Sequence, residues 1–224
     1  RGRGDSDYSE DPASYNVGTY ALDILALLDT EQIDSFVSIG TSMGGLITLM
    51  IAATHPQRVA GTLLNDVGPV LETAGLDAIK SYIGQGRSFP TWMHAARALE
   101  DVHGAAFPNF GTEEWIVMAK RTLTLCNNGR IAFDYDMKIA EPILAADEAA
   151  VPPDLWPAFD ALAEKPLALL RGELSQLLSE QAFAEMQRRA PQAICATVPG
   201  VGHAPTLDEP EARAIIDRLL ALIA

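Results

Sequence analysis

The residues best suited to chemistry are Ser42 and its neighbours, Gly40-Thr41-Ser42-Met43-Gly44-Gly45. A serine hydroxyl attacks a carbonyl well only when a base takes its proton and donors stabilise the oxyanion. The context here supplies the geometry for that. An apolar run at 35–39 precedes the serine, and a helical pattern over 44–55 follows it, stopped by Pro56. A serine between a buried strand and a helix sits on a sharp turn, and the flanking glycines let the backbones pass closely. Because the helix starts at once, the N–H of Met43 lies at its positive end and is the expected oxyanion donor. The pentapeptide alone also arises by chance in tight turns. The strand before it and the helix after it separate the two cases.

Of the four histidines, His203 is the expected base. It stands in Val198-Pro199-Gly200-Val201-Gly202-His203-Ala204-Pro205, a glycine-rich loop after the last predicted strand. In a parallel sheet the loops that follow strands share one edge, so the 161 residues between Ser42 and His203 are no obstacle. His55 ends a helix before Pro56 and reads as a cap, while His94 and His103 fall in a segment of different texture. A third residue, a carboxylate, should orient the imidazole. Two candidates follow strands: Asp66, after 59–64, and Glu173, after 167–170.

These residues need elements to hold them. Apolar residues at helical spacing predict helices over 16–30, 44–55, 179–189 and 208–222. Short apolar runs predict strands at 35–39, 59–64, 167–170 and 193–198. Strands alternating with helices predict an α/β fold with a mostly parallel, doubly wound sheet. Between about 70 and 150 helical patterns dominate, near 73–83, 90–101 and 112–125, with no clear series of strands. Ten of the 15 aromatic residues lie between Tyr82 and Phe159. That density predicts a helical lid with its own core, or one that lines an apolar pocket. Trp92, Phe107 and Trp115, with Phe89, Phe110 and Met93, are the candidate pocket residues. The expected division is core (1–69), lid (70–150) and core again (151–224).

Composition narrows the classes. The 224 residues are 48% apolar and 21% charged, as in a globular protein. A net charge of −14 argues against nucleic acid, whose phosphates select Lys and Arg. No run reaches the roughly 18 apolar residues of a membrane span. Cys126 and Cys195 form no metal or redox motif, so a reduced, cytoplasmic protein without metal or cofactor is expected. The expected partner is a small-molecule substrate, apolar or aromatic, and a homo-oligomer is an open option.

Taken in order, Arg1-Gly2-Arg3-Gly4-Asp5-Ser6-Asp7, Gly40-Thr41-Ser42-Met43-Gly44-Gly45, Asn65-Asp66-Val67-Gly68-Pro69, Arg171-Gly172-Glu173 and Gly200-Val201-Gly202-His203-Ala204-Pro205 resemble the α/β-hydrolase superfamily. The likeness is to bacterial lid-bearing hydrolases near the esterases and the C–C hydrolases of ring-cleavage products. The resemblance implies a Ser42–His203 pair in a nucleophile elbow and a lid over it. In the family the Arg-Gly-x-Gly-x-Ser segment follows the fourth strand, so earlier strands and a second oxyanion donor are expected outside these residues. The family usually carries an aspartate where this chain has Gln176; some relatives place the acid after the sixth strand instead, which is where Asp66 stands. Asp66 is therefore the expected acid, Glu173 the second candidate, and a site without an acid the third reading.

The implied activity is hydrolysis of a carboxylic ester or lactone through an acyl group on Ser42. Carbon–carbon bond hydrolysis and a non-catalytic binding protein on the same fold are the rival readings. Serine at position 42 disfavours the dehalogenases and epoxide hydrolases of this superfamily, which need a carboxylate nucleophile.

Overall fold

A computed structural model describes residues 1–145 and 153–223. The chain divides into two compact units, one of Arg1–Tyr15 with Ala78–Glu148, the other of Asn16–Asp77 with Ala149–Ala224. The expected boundary at 150 lies outside the described residues.

The second unit carries the sheet. Its elements are α1 (Val17–Thr30), β1 (Phe36–Thr41), α2 (Met43–Thr54) and β2 (Val59–Asn65). After the insertion come α7 (Trp156–Ala163), β6 (Leu167–Gly172), α8 (Glu180–Arg189), β7 (Ile194–Val198) and α9 (Pro210–Ala221). Four strands pair in the order β1-β2-β6-β7, every pair parallel. The predicted strands and helices of this unit are thus present, with ends moved by one or two residues. Strands β2 and β6 are buried almost throughout, which explains why they read as mostly apolar runs rather than as alternation. Helix α2 packs on β1 and β2 and against α1 and α7, while α9 packs on β2, β6 and β7. Leu63, Leu64, Leu169 and Leu170 form the centre of this core.

Register decides what meets at the carboxyl edge of the sheet. Thr41 pairs with Asn65, Asn65 with Leu170, and Gly172 with Val198. Ser42 and Asp66, the residues that follow Thr41 and Asn65, therefore leave the sheet side by side, while β6 runs on to Gly172 before Glu173 leaves it.

The first unit holds α4 (Trp92–His103), α5 (Thr112–Thr122) and α6 (Ala140–Leu144), with α3 (Thr73–Tyr82) leading into it. Helices α4 and α5 pack on each other. One expectation is corrected here. The segment also contains an antiparallel sheet of β3 (Ser88–Phe89), β5 (Ile131–Phe133) and β4 (Leu123–Leu125). Strands of two or three residues are too short to show an alternating pattern. The helix predicted to 125 ends at Thr122, and β4 follows directly. A turn closed by Gly129 N–H to the Cys126 carbonyl (2.9 Å) then brings β5 back.

Residues 1–15, expected in the sheet unit, group instead with the helical one. Hydrogen bonds explain it. The Tyr15 hydroxyl donates to Asp136 Oδ2 at 2.6 Å, and the Asp136 N–H donates to the Gly2 carbonyl at 2.8 Å. Gly4 N–H donates to the Asp134 carbonyl at 3.0 Å. Gly2 has a φ of +72°, and a Cβ there would meet the Tyr15 ring at 2.5 Å, so only glycine fits. The Tyr15 bond, strongest of the influences on Asp136, holds its carboxyl below the usual range.

No helix among the described residues is long and apolar enough to cross a membrane.

Candidate active site

Ser42 lies between β1 and α2 with φ +49° and ψ −115°, a conformation non-glycine residues rarely adopt. Two features over-determine it. The Ser42 N–H donates to the Asn65 carbonyl on the neighbouring strand at 3.1 Å, and its own carbonyl accepts from Gly45 and Leu46 in the first turn of α2. A Cβ at Gly40 would stand 2.6 Å from the Gly45 nitrogen and 2.7 Å from the Gly44 carbonyl carbon, both backbone atoms. Gly40 is thus what lets strand and helix pass, whereas a Cβ at Gly44 would meet nothing within 4 Å, so the expected need for glycine holds at the first flank of the serine and not at the second. Strain of this kind is held by its surroundings and clusters at functional sites.

A serine at a helix N-cap usually bonds to the backbone of the first turn. Ser42 makes no such cap bond; its Oγ lies 2.9 Å from His203 Nε2. On the other side of the ring, Nδ1 lies 2.7 Å from Asp66 Oδ2. A carboxylate only accepts, so Nδ1 carries the hydrogen and Nε2 is left as the acceptor facing the Ser42 hydroxyl. The Asp66 side chain is fully buried and that of His203 is 18% exposed. The three residues expected from the sequence are therefore brought together in one hydrogen-bonded chain.

Asp66 itself is held on every side. Its backbone takes φ +55°, a left-handed conformation that Asp tolerates better than most residues, and its N–H donates to Leu170 at 2.8 Å. Asp66 Oδ1 accepts the Gly172 N–H at 2.9 Å, and Oδ2 accepts the Ser175 hydroxyl at 2.7 Å as well as His203. The rival acid is placed elsewhere. Glu173 Oε2 accepts the Gly200 N–H at 2.7 Å, tying the loop after β6 to the loop that carries His203. Gln176 is exposed to solvent.

Two residues without an assigned role at the sequence level stand in this network. Asn65 is fully buried. Its Nδ2 donates to Thr41 Oγ1 at 3.0 Å and to the Pro205 carbonyl at 2.8 Å, so one side chain joins the residue before Ser42 to the loop of His203. Ser175 is the other. The only local signal for Asn65 was a polar residue at the end of an apolar strand; nothing local marked Ser175.

The three proposed pocket aromatics belong to the helical unit. Trp115 and Phe107 are 2% and 5% exposed. Phe107 stacks on Phe110 with ring centroids 4.7 Å apart, and both meet Trp115 edge-on, at 6.0 and 5.2 Å. Phe107 and Trp115 thus fill that unit's own core rather than stand open to a ligand, which corrects the pocket expectation for them. Trp92 opens α4 half-buried. His94 bonds to Thr91 Oγ1 at 2.8 Å at the start of α4, and His55 to Thr54 Oγ1 at 2.9 Å at the end of α2. His103 stands edge-on to Tyr82 at 4.8 Å, and burial lowers its pKa.

A family model described as the alpha/beta hydrolase family matches residues 1–214. Over 227 aligned residues the chain is 34% identical to 3-hydroxybutyrate-oligomer hydrolase of Cupriavidus necator, covering 96% of this chain and 74% of that one. It is 27% identical over 203 residues to 2-(acetamidomethylene)succinate hydrolase of Mesorhizobium japonicum, covering 91% and 69%. The crystal structure of an alpha/beta hydrolase from Novosphingobium aromaticivorans superposes with a TM-score of 0.93 at 54% identity, over 99% of this chain and 77% of that one.

Proposed function

The chain belongs to the alpha/beta hydrolase family, and on that footing we propose that it hydrolyses carboxylic esters or lactones through an acyl-enzyme on Ser42. The observation that carries this reading is the unbroken chain Ser42 Oγ, His203, Asp66, with separations of 2.9 and 2.7 Å.

In this reading the Ser42 oxygen attacks the ester carbonyl carbon, and its proton passes to His203 Nε2. The Asp66 carboxylate holds the ring and stabilises the imidazolium that forms. The backbone N–H of Met43, at the start of α2, donates to the oxyanion; one such donor is worth about 10²–10³ in rate. His203 then gives the proton to the departing alkoxide, leaving the acyl group on Ser42. Water attacks that ester with His203 as base, releasing the acid and restoring the serine.

The relative from Cupriavidus necator is named for 3-hydroxybutyrate oligomers, so short chains of ester-linked hydroxy acids are the first substrates to try. Burial of Phe107 and Trp115 removes the main ground for preferring aromatic acyl groups. A fluorophosphonate probe tests the nucleophile: it should label the protein at Ser42 and leave Ser42→Ala unlabelled. A panel of 3-hydroxybutyrate dimers and trimers, nitrophenyl esters, lactones and dienoic ketones tests the reaction. No labelling rejects the catalytic reading, and turnover of the dienoic ketones alone replaces ester cleavage with carbon–carbon cleavage.

A further inference from the structure

We propose that Ser175 is a positioning residue of this site, a hydroxyl whose single hydrogen is aimed at Asp66 so that the carboxylate presents one fixed oxygen to His203. The inference rests on the Ser42–His203–Asp66 reading above. The Ser175 hydroxyl is itself held in place. Its oxygen lies 3.2 Å from the Leu177 N–H and 3.1 Å from the Leu178 N–H, and it accepts from both. With its lone pairs so engaged, the hydroxyl hydrogen has one direction left. Asp66 Oδ2 lies in hydrogen-bond reach at 2.7 Å. The same oxygen takes the His203 Nδ1–H at 2.7 Å.

The loop that carries Ser175 is anchored apart from this bond. Ser175 N–H donates to the Gly172 carbonyl at 3.0 Å, and the Leu177 carbonyl accepts from Glu72 at 2.9 Å. Gly172 N–H supplies the donor for Asp66 Oδ1. One turn of chain thus grips both carboxylate oxygens and sets the plane in which the imidazole must lie. Because the Asp66 side chain is fully buried, water cannot replace a lost donor there at low cost. The hydroxyl also draws charge from the oxygen that His203 uses, so it tunes the Nδ1–H bond as well as the angle.

The test compares Ser175→Ala and Ser175→Thr with the wild-type protein, reading ester turnover and the low-field proton resonance of the His203 Nδ1–H. In the alanine variant kcat should fall about tenfold to a hundredfold, the range for losing a hydrogen bond to a charged group, with KM within about twofold. The resonance should move, because Oδ2 then has one donor instead of two. The threonine variant, which keeps the hydroxyl, should recover both readings. An alanine variant with wild-type kcat or an unmoved resonance overturns the proposal. So does a loss that threonine fails to repair, which assigns the effect to loop packing. The resonance does not depend on turnover. A wild-type protein that hydrolyses no ester but shows the shift in Ser175→Ala would therefore reject the hydrolase reading and leave the Ser175 contact standing.

Discussion

Asp66 Oδ2 and His203 Nδ1 stand 2.7 Å apart although 137 residues separate them in the chain. The contact exists because β2 and β7 end at the same edge of a parallel sheet, and because Asp66 turns at once through a left-handed conformation into the space His203 enters. Of the candidate side chains, Asp66 is the one bonded to the imidazole, while Gln176 faces solvent and Glu173 bonds to Gly200.

Replacing Asp66 by Asn should leave a folded protein whose kcat on esters falls by about 10⁴, the loss that follows when an orienting aspartate becomes an amide. Gln176→Ala should stay within about twofold of wild type. Initial rates on one ester decide the matter. An active Asp66→Asn together with an inactive Gln176→Ala would move the role of orienting His203 to the loop after β6.

Gly40→Ala adds a methyl group 2.6 Å from the Gly45 nitrogen and 2.7 Å from the Gly44 carbonyl carbon. Backbone at that distance cannot yield as a flexible side chain would. Overpacking of this kind costs about 1–3 kcal/mol, which lowers Tm by about 2–4 °C per kcal/mol in a chain of this size. Fluorophosphonate labelling of Ser42 should slow in parallel, since the turn that presents the hydroxyl has to open. Unchanged Tm and labelling would mean the turn is not tightly packed.

Trp115→Ala removes the centre of the ring cluster with Phe107 and Phe110. A fully buried tryptophan cut to alanine costs about 3–5 kcal/mol. Denaturant unfolding should show that loss, with KM for small and bulky esters changing alike. A variant of normal stability whose KM rises for bulky esters only would return Trp115 to the substrate pocket.

His103 predicts a pH dependence of stability. It is packed edge-on to Tyr82 beside a cavity of about 30 Å³, and burial lowers its pKa from the ordinary 6.5. Above that value the ring is neutral in the folded and unfolded chain, and the group contributes no pH dependence. As the pH falls through about 6.5 the unfolded chain takes up the proton first, so stability drops, levelling off below the folded value. His103→Gln should flatten this part of the profile when unfolding free energy is measured between pH 8 and 5. A profile that keeps its slope in the variant would assign the drop to other groups.

What the sequence alone determined was local. A run of apolar residues, Gly40-x-Ser42-x-Gly44 and then a helical pattern can only be read as strand, sharp turn and helix, because periodicity and glycine sterics act within a few residues. The same reasoning placed His203 on a loop at the strand ends. The short strands of the helical unit escaped it, since two or three residues carry no period, and so did the grouping of residues 1–15 with that unit. Tertiary structure decided the rest. Asp66, Glu173 and Gln176 all stand near strand ends, and only the register, in which Asn65 pairs with both Thr41 and Leu170, brings Asp66 next to Ser42. The Asn65 link to Pro205 and the Ser175 bond to Asp66 span 140 and 109 residues. Hydrogen bonds of that span leave no pattern in neighbouring residues; packing of the sheet makes them.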